Sequence, residues 1–128
     1  MIEAVNRHQC NHIMIVPAMT VDILNYVETK GVKIPSLKTV ITGSAPTTVE
    51  TAKKFLKALP NVEDFLIRYG PTETGGCMTM PQLGDKPNQT IDNVGAPMDL
   101  VEIKVVNKQG ELVKIDEQGK VEKIQVDH

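Results

Sequence analysis

Cysteine is scarce in this 128-residue chain: Cys10 and Cys77 stand far apart, with no CxxC spacing between them. Their number and placement exclude a disulfide framework and a cysteine-rich zinc module, and they fit the reduced thiols of an intracellular protein. An excess of one charge is missing too. Lysine and arginine number 14 against 16 aspartates and glutamates, for a formal charge of −2, which gives no electrostatic reason to bind nucleic acid or an anionic membrane. Any phosphate must therefore be held by local groups. Long apolar runs are absent as well: the opening "MIEAVNRHQCNHIMIVP" carries acids and histidines before a short apolar stretch, too short and too polar for a signal peptide or a membrane span. No internal repeat or low-complexity tract appears. The 41% of hydrophobic residues is enough to close one core.

Along the chain, Ile2 and Val5 predict a short amphipathic helix leading to "HIMIV", a buried strand stopped by Pro17, which has no amide hydrogen to donate. Thr20 then caps a predicted helix carrying Val21, Ile23, Leu24 and Val27, ended by Gly31 and Pro35. "LKTVITG" alternates as a strand should. "TTVETAKKFLKALP" sets Val49, Ala52, Phe55, Leu56 and Leu59 on one helical stripe. "VEDFLIRYG" is a further strand, and again it runs directly into glycine. Strands alternating with helices predict an α/β fold with a mostly parallel sheet flanked by helices. After the polar loop "PQLGDKPNQTIDN" the pattern changes. "LVEIKVV" and "ELVKI" are β-branched runs joined by "NKQG", predicting a short antiparallel β segment. The division expected is 1–92 and 93–128, with the boundary in the loop between Pro81 and Asn93.

In open α/β sheets ligands sit beyond the carboxyl ends of the strands, where both "GSAP" (Gly43 to Pro46) and "YGPTETGG" (Tyr69 to Gly76) fall. Gly43 permits close approach to a flat ligand, and Pro46 stiffens the exit into the next helix. On its own, "GSAP" equally describes a helix-start turn capped by Ser44 or Thr47. The second loop combines an aromatic face able to stack on a base, two hydroxyls at Thr72 and Thr74, glycine-exposed amides and the Glu73 carboxylate, which can hold magnesium. Those are the parts of a nucleotide site, though each taken singly fits an ordinary strand end, loop charge or turn. "HQCNH" places His8 and His12 four apart around Cys10. It lacks the glutamate of a metal-binding HExxH helix and is assigned no role. The same holds for the sequon "NQT" at Asn88 to Thr90.

Tyr69-Gly70-Pro71-Thr72-Glu73 resembles the Tyr-Gly-x-Thr-Glu signature of the acyl-adenylate-forming, AMP-binding ligase superfamily, which includes acyl-CoA synthetases, luciferases and peptide-synthetase adenylation domains. The resemblance runs through "VPAMTVDILN", "GSAP" and "NVGAPMDLVEIKVVN", and is strongest to the medium-chain acyl-CoA synthetase branch. It implies that Gly43, Ser44, Ala45 and Pro46 border one side of an adenine and that Tyr69 stacks on the other, with Gly70 and Pro71 shaping that wall. Thr72 would bond the α-phosphate, Glu73 would hold magnesium, and Gly75, Gly76 and Cys77 would border the acyl pocket. Thr72 and Glu73 are thus the implied catalytic residues. The implied reaction joins a carboxylic (fatty) acid to ATP, giving acyl-AMP, and passes the acyl group to coenzyme A, with a mitochondrial location by analogy.

Three parts of the family pattern are missing. The glycine- and hydroxyl-rich phosphate loop with its lysine does not precede "IEAV", no Thr-Gly-Asp motif or lid domain follows, and "QGKVEKIQVDH" departs from the family's Gly-Glu-x-x-x-Arg-Gly strand. The chain is therefore expected to be part of the large amino-terminal domain. As such it would bind AMP weakly, lack activity alone, need the remainder of the ligase as partner and leave an apolar face open. A non-catalytic nucleotide-binding or interaction module is the other reading.

Overall fold

A computed structural model describes residues 1–85, 90–115 and 117–124. Asn88 and Gln89 of the sequon, and the last four residues of the chain, lie outside them. Helix α1 (Ile2–Arg7) buries Ile2 and Val5 and leads into strand β1 (His12–Ile15). Helix α2 (Pro17–Lys30) begins one turn earlier than the sequence implies. Pro17, which ends the strand, also opens the helix, because its fixed φ and missing N–H suit the first helical position. Thr20 is therefore not a cap but a buried residue of the first turn, whose amide donates to the Val16 carbonyl. Val21, placed on the apolar stripe by its spacing, faces outward. Gly31 closes α2 in the left-handed conformation at φ 63°, its amide bonding back to Val27, as an αL C-cap requires.

Strands β2 (Thr39–Thr42) and β3 (Asp64–Ile67) flank helix α3 (Val49–Ala58) in sequence. The three strands form a parallel sheet in the order β1-β2-β3, with His12, Thr39 and Asp64 in one row and Ile15, Thr42 and Ile67 in another. This is the α/β arrangement expected, with the helices supplying the crossovers. Leu37, Val40, Ala52, Phe55 and Phe65 are fully buried, and the Phe55 and Phe65 rings meet at 5.5 Å with a 56° tilt, an arrangement favoured by aromatic quadrupoles. Asn61 fastens the end of α3 to the segment before β2, donating to the carbonyls of Ile34 and Leu37 at 2.8 and 2.6 Å. The shared register sets the carboxyl ends of the three strands at the same level.

Beyond the sheet, β4 (Thr79–Met80) pairs antiparallel with β5 (Ala96–Pro97), and β6 (Glu102–Val106) with β7 (Lys120–Ile124). The first pair joins residues on either side of position 92. The hairpin turn at Asn107–Gly110 forms as expected, but its return arm is brief: Val113 donates to Val105 and Leu112 makes a single bridge to Val106. Residues 111–115 are thus not the main partner of β6. The β-branched run there leaves Leu112 and Ile115 exposed, at 73% and 94%. Leu100 and Met14 are exposed as well, at 82% and 62%. No helix among the described residues is long and apolar enough to cross a membrane.

Candidate functional site

The register of the sheet brings the two glycine turns together. One residue past the last paired row, the Arg68 amide donates to the Thr42 carbonyl at 2.9 Å, so Gly43 lies alongside Arg68. A methyl group on Gly43 would sit 2.7 Å from Arg68 Cγ and 2.9 Å from its carbonyl oxygen. Only a residue without a side chain lets the backbones come this close. Ser44 follows at φ 74°, a left-handed conformation costing a non-glycine residue about 1 to 2 kcal/mol. Strain of this kind concentrates at ligand-binding turns. The turn is not a helix start, because α3 begins at Val49 and its cap is Thr48, whose hydroxyl accepts from the Thr51 amide at 3.2 Å. Neither Ser44 nor Thr47 caps it.

Tyr69 is fixed through its main chain and free at its ring. Its amide donates to the Thr79 carbonyl, and its own carbonyl accepts from Met78 and Thr79 at 2.8 and 3.0 Å. The side chain remains 40% exposed. Gly70 makes this closure possible, since a Cβ there would meet the backbone of Cys77 and Met78 at 2.7 Å. Thr72–Thr74 then form one turn of 3-10 helix. The Pro71 carbonyl gathers the Thr74 amide, the Thr74 hydroxyl and the Gly76 amide at 2.9 to 3.2 Å. Gly75 and Gly76 return the chain at φ 82° and 83°.

A cleft of about 510 Å³ opens between the two turns, within the usual range for a small-molecule site. Ser44, Ala45 and Pro46 line one side and Tyr69, Gly70 and Pro71 the other. Gly43 is buried beneath. Thr72 and Glu73 follow Pro71 directly on the exposed 3-10 turn, outside the lining. Gly75, Gly76 and Cys77 lie on the return to β4, outside the cleft lining, with the Cys77 thiol directed at the Thr79 carbonyl at 3.6 Å. The structure also brings in groups that local patterns do not reveal: Thr47, Val49, Ile67 and Arg68, and a third wall made by Ile91 to Val94. That wall is held by buried Ile91 and by the Thr90 hydroxyl, which donates to the Phe65 carbonyl at 2.9 Å. The one sequence signal for it is an isolated isoleucine in a polar loop.

The AMP-binding enzyme family profile matches residues 1–122. The chain belongs to the AMP-binding enzyme family. Among curated relatives of this family member, an acyl-CoA synthetase of Alternaria alternata is 23% identical over 121 residues, covering 94% of this chain and 21% of its own length. The chain thus spans about a fifth of that relative. Among solved structures, a long-chain-fatty-acid-CoA ligase from Archaeoglobus fulgidus superposes with a TM-score of 0.85 at 20% identity, over 96% of this chain and 26% of the other. An anthranilate CoA ligase solved with anthranoyl-AMP gives 0.83 at 20% identity, over 97% and 23%. The chain therefore has the fold of the adenylate-forming enzymes, as its Tyr-Gly-x-Thr-Glu sequence implied.

Proposed function

We propose that this chain is the base-holding and α-phosphate-facing portion of an ATP-dependent acid-thiol ligase, with the cleft between Ser44 and Tyr69 as its adenine site. The observation that carries this reading is the meeting of the two turns: backbone on one wall, an anchored and half-exposed phenol ring on the other, at a spacing set by Gly43. A flat heterocycle between them would bury both its faces, and stacking on Tyr69 would contribute roughly 1 to 3 kcal/mol. Thr72, whose hydroxyl has no intramolecular partner among the described residues, is placed one step beyond the wall to donate to an α-phosphate oxygen.

The donor set fits magnesium held jointly with nucleotide phosphates. Glu73 is an exposed carboxylate on the same turn, and the described residues contain no group of three His, Cys, Asp or Glu side chains able to cage a metal, His8, Cys10 and His12 included. Magnesium is commonly bound through one or two carboxylates, with phosphate oxygens and water completing the shell. When bound, it neutralises charge on the departing pyrophosphate. The reaction would then join a substrate carboxylate to the α-phosphorus as pyrophosphate leaves, and the thiol of coenzyme A would take the acyl group as AMP leaves, with no protein nucleophile needed. Further phosphate donors would come from the parts of a ligase that this chain does not represent, so the isolated chain binds AMP and does not turn over.

Titration calorimetry of the 128-residue chain tests this. AMP is expected to bind, and Tyr69→Ala to weaken it roughly tenfold or more. Equal affinity in the variant would overturn the adenine site. Tight, magnesium-dependent ATP binding by the wild-type chain would overturn the view that the triphosphate contacts lie elsewhere.

A further inference from the structure

Among the described residues Arg68 is the one cation on the cleft lining, and nothing in the signature or the loop patterns accounts for it. Its stem is pinned. Cγ and Nε would lie 2.7 and 3.3 Å from a methyl on Gly43, so the absence of a side chain at Gly43 is what lets the arginine lie flat across the neighbouring turn. Its main chain is fixed by the bond from its amide to the Thr42 carbonyl. The guanidinium, in contrast, takes part in no ion pair or side-chain hydrogen bond among the described residues. Asp92 shares the lining but makes no ion pair with it, its carboxylate instead accepting from Asn93 at 3.2 Å.

A half-buried arginine usually satisfies its five donors with carboxylates or carbonyls. One whose stem lies against the neighbouring turn while its head is left without a partner, in a cleft otherwise lined mainly by apolar atoms, is prepared for an anion. We propose that Arg68 is a specificity-determining residue that contacts the phosphate of the nucleotide in this cleft and so selects nucleoside phosphates over nucleosides. This rests on the adenine-site reading above. It supplies a positive charge in a chain that has neither a GxxxxGK loop nor a net basic surface. The guanidinium fork offers two parallel N–H donors to phosphate oxygens. Among the described residues no carboxylate forms an ion pair with it.

The test is calorimetry of the full 128-residue chain with AMP and with adenosine, for wild type, Arg68→Gln, Arg68→Lys and Tyr69→Ala. Wild type is expected to prefer AMP. Arg68→Gln should lower AMP affinity roughly tenfold and leave adenosine within about twofold, the magnitude of a charge-assisted contact at a partly exposed site. Arg68→Lys, which keeps the charge and most of the stem, should recover part of the preference. Raising salt from about 50 to about 500 mM should weaken AMP binding in wild type and not in Arg68→Gln. If Arg68→Gln weakens AMP and adenosine in equal proportion, or neither, while Tyr69→Ala still weakens both, the arginine only shapes the wall. That result overturns this assignment and leaves the adenine site standing. If Tyr69→Ala has no effect, or wild type binds neither ligand, both fall.

Discussion

Replacing Gly43 by alanine tests the geometry on which the cleft depends. An added Cβ would stand 2.7 Å from Arg68 Cγ and 2.9 Å from the Arg68 carbonyl, against an ordinary contact of about 3.5 to 4.0 Å. The arginine stem can rotate away. The carbonyl cannot, because Arg68 is tied to Thr42 by its own amide at 2.9 Å. Relief therefore requires the turns after β2 and β3 to separate by roughly half an ångström or more, an overpacking that costs about 1 to 3 kcal/mol. For a domain of this size the expected fall in Tm is on the order of 5 to 10 °C. Differential scanning calorimetry measures it, and AMP titration should show a parallel loss because the walls no longer grip one ring. A double-mutant cycle separates the two contacts. Arg68→Ala removes the Cγ clash and leaves the carbonyl clash, so Gly43→Ala combined with Arg68→Ala should recover only part of the Gly43→Ala loss. A Gly43→Ala protein within about 1 °C and twofold of wild type would show that the two turns are not held in contact, and the argument for a shared cleft would fail with it.

Other substitutions test separate parts of the fold. Gly95→Ala should be more damaging than Gly43→Ala, since Gly95 sits at φ 73° and its Cβ would fall 2.1 Å from the Pro81 nitrogen; loss of cooperative melting is the expected readout. Thr48→Ala removes the α3 cap and should cost about 1 kcal/mol in urea denaturation, with Thr48→Asp close to wild type. The Glu50 carboxyl is held below its ordinary value by the hydrogen bond and charge of Lys54, 2.8 Å away on the next turn. A lowered folded value contributes stability that is present above the ordinary carboxylate range and lost as pH falls through the folded value. Because the pair is fully exposed, Glu50→Gln should change Tm at neutral pH by no more than a degree or so, and not at all in strong acid.

How far the sequence led can be judged from particular residues. Strand and helix order was legible because apolar period and punctuation agreed: Gly31, Gly43 and Gly70 each stop an element where the pattern changes. The start of α2 is not legible in the sequence, because Thr20 has the chemistry of a cap, while Pro17, one turn earlier, has the geometry of a first helical residue. Residues 111–115 are an apolar, β-branched run as a strand would be, yet pairing is decided by which segment reaches β6, and that segment is Lys120–Ile124. Both walls of the cleft could be read locally, since each follows a strand. Arg68 and the segment from Ile91 to Val94 could not, because their place in the cleft depends on sheet register and on a buried hydroxyl bond to Phe65. Neither leaves a mark in local spacing.

The loop after Tyr69 divides into a rigid part and a presenting part, and this division gives a last prediction. The two threonines of Tyr69 to Gly76 appear equivalent in sequence, and the structure separates them. Thr74 donates its hydroxyl to the Pro71 carbonyl at 2.9 Å, alongside two amides on the same oxygen, so that hydroxyl is spent on folding the turn. Thr72 makes no such bond. Thr74→Val should therefore loosen the turn and cost about 1 kcal/mol, with AMP and adenosine weakened together only as far as the Pro71 wall moves. Thr72→Val should leave the melting curve unchanged and weaken AMP alone. If the assignments were reversed, with Thr72→Val destabilising the fold and Thr74→Val discriminating between the ligands, the turn would present its other hydroxyl to the phosphate. The placement of the α-phosphate beyond Pro71 would then have to be abandoned, although the stacking of the base on Tyr69 would not.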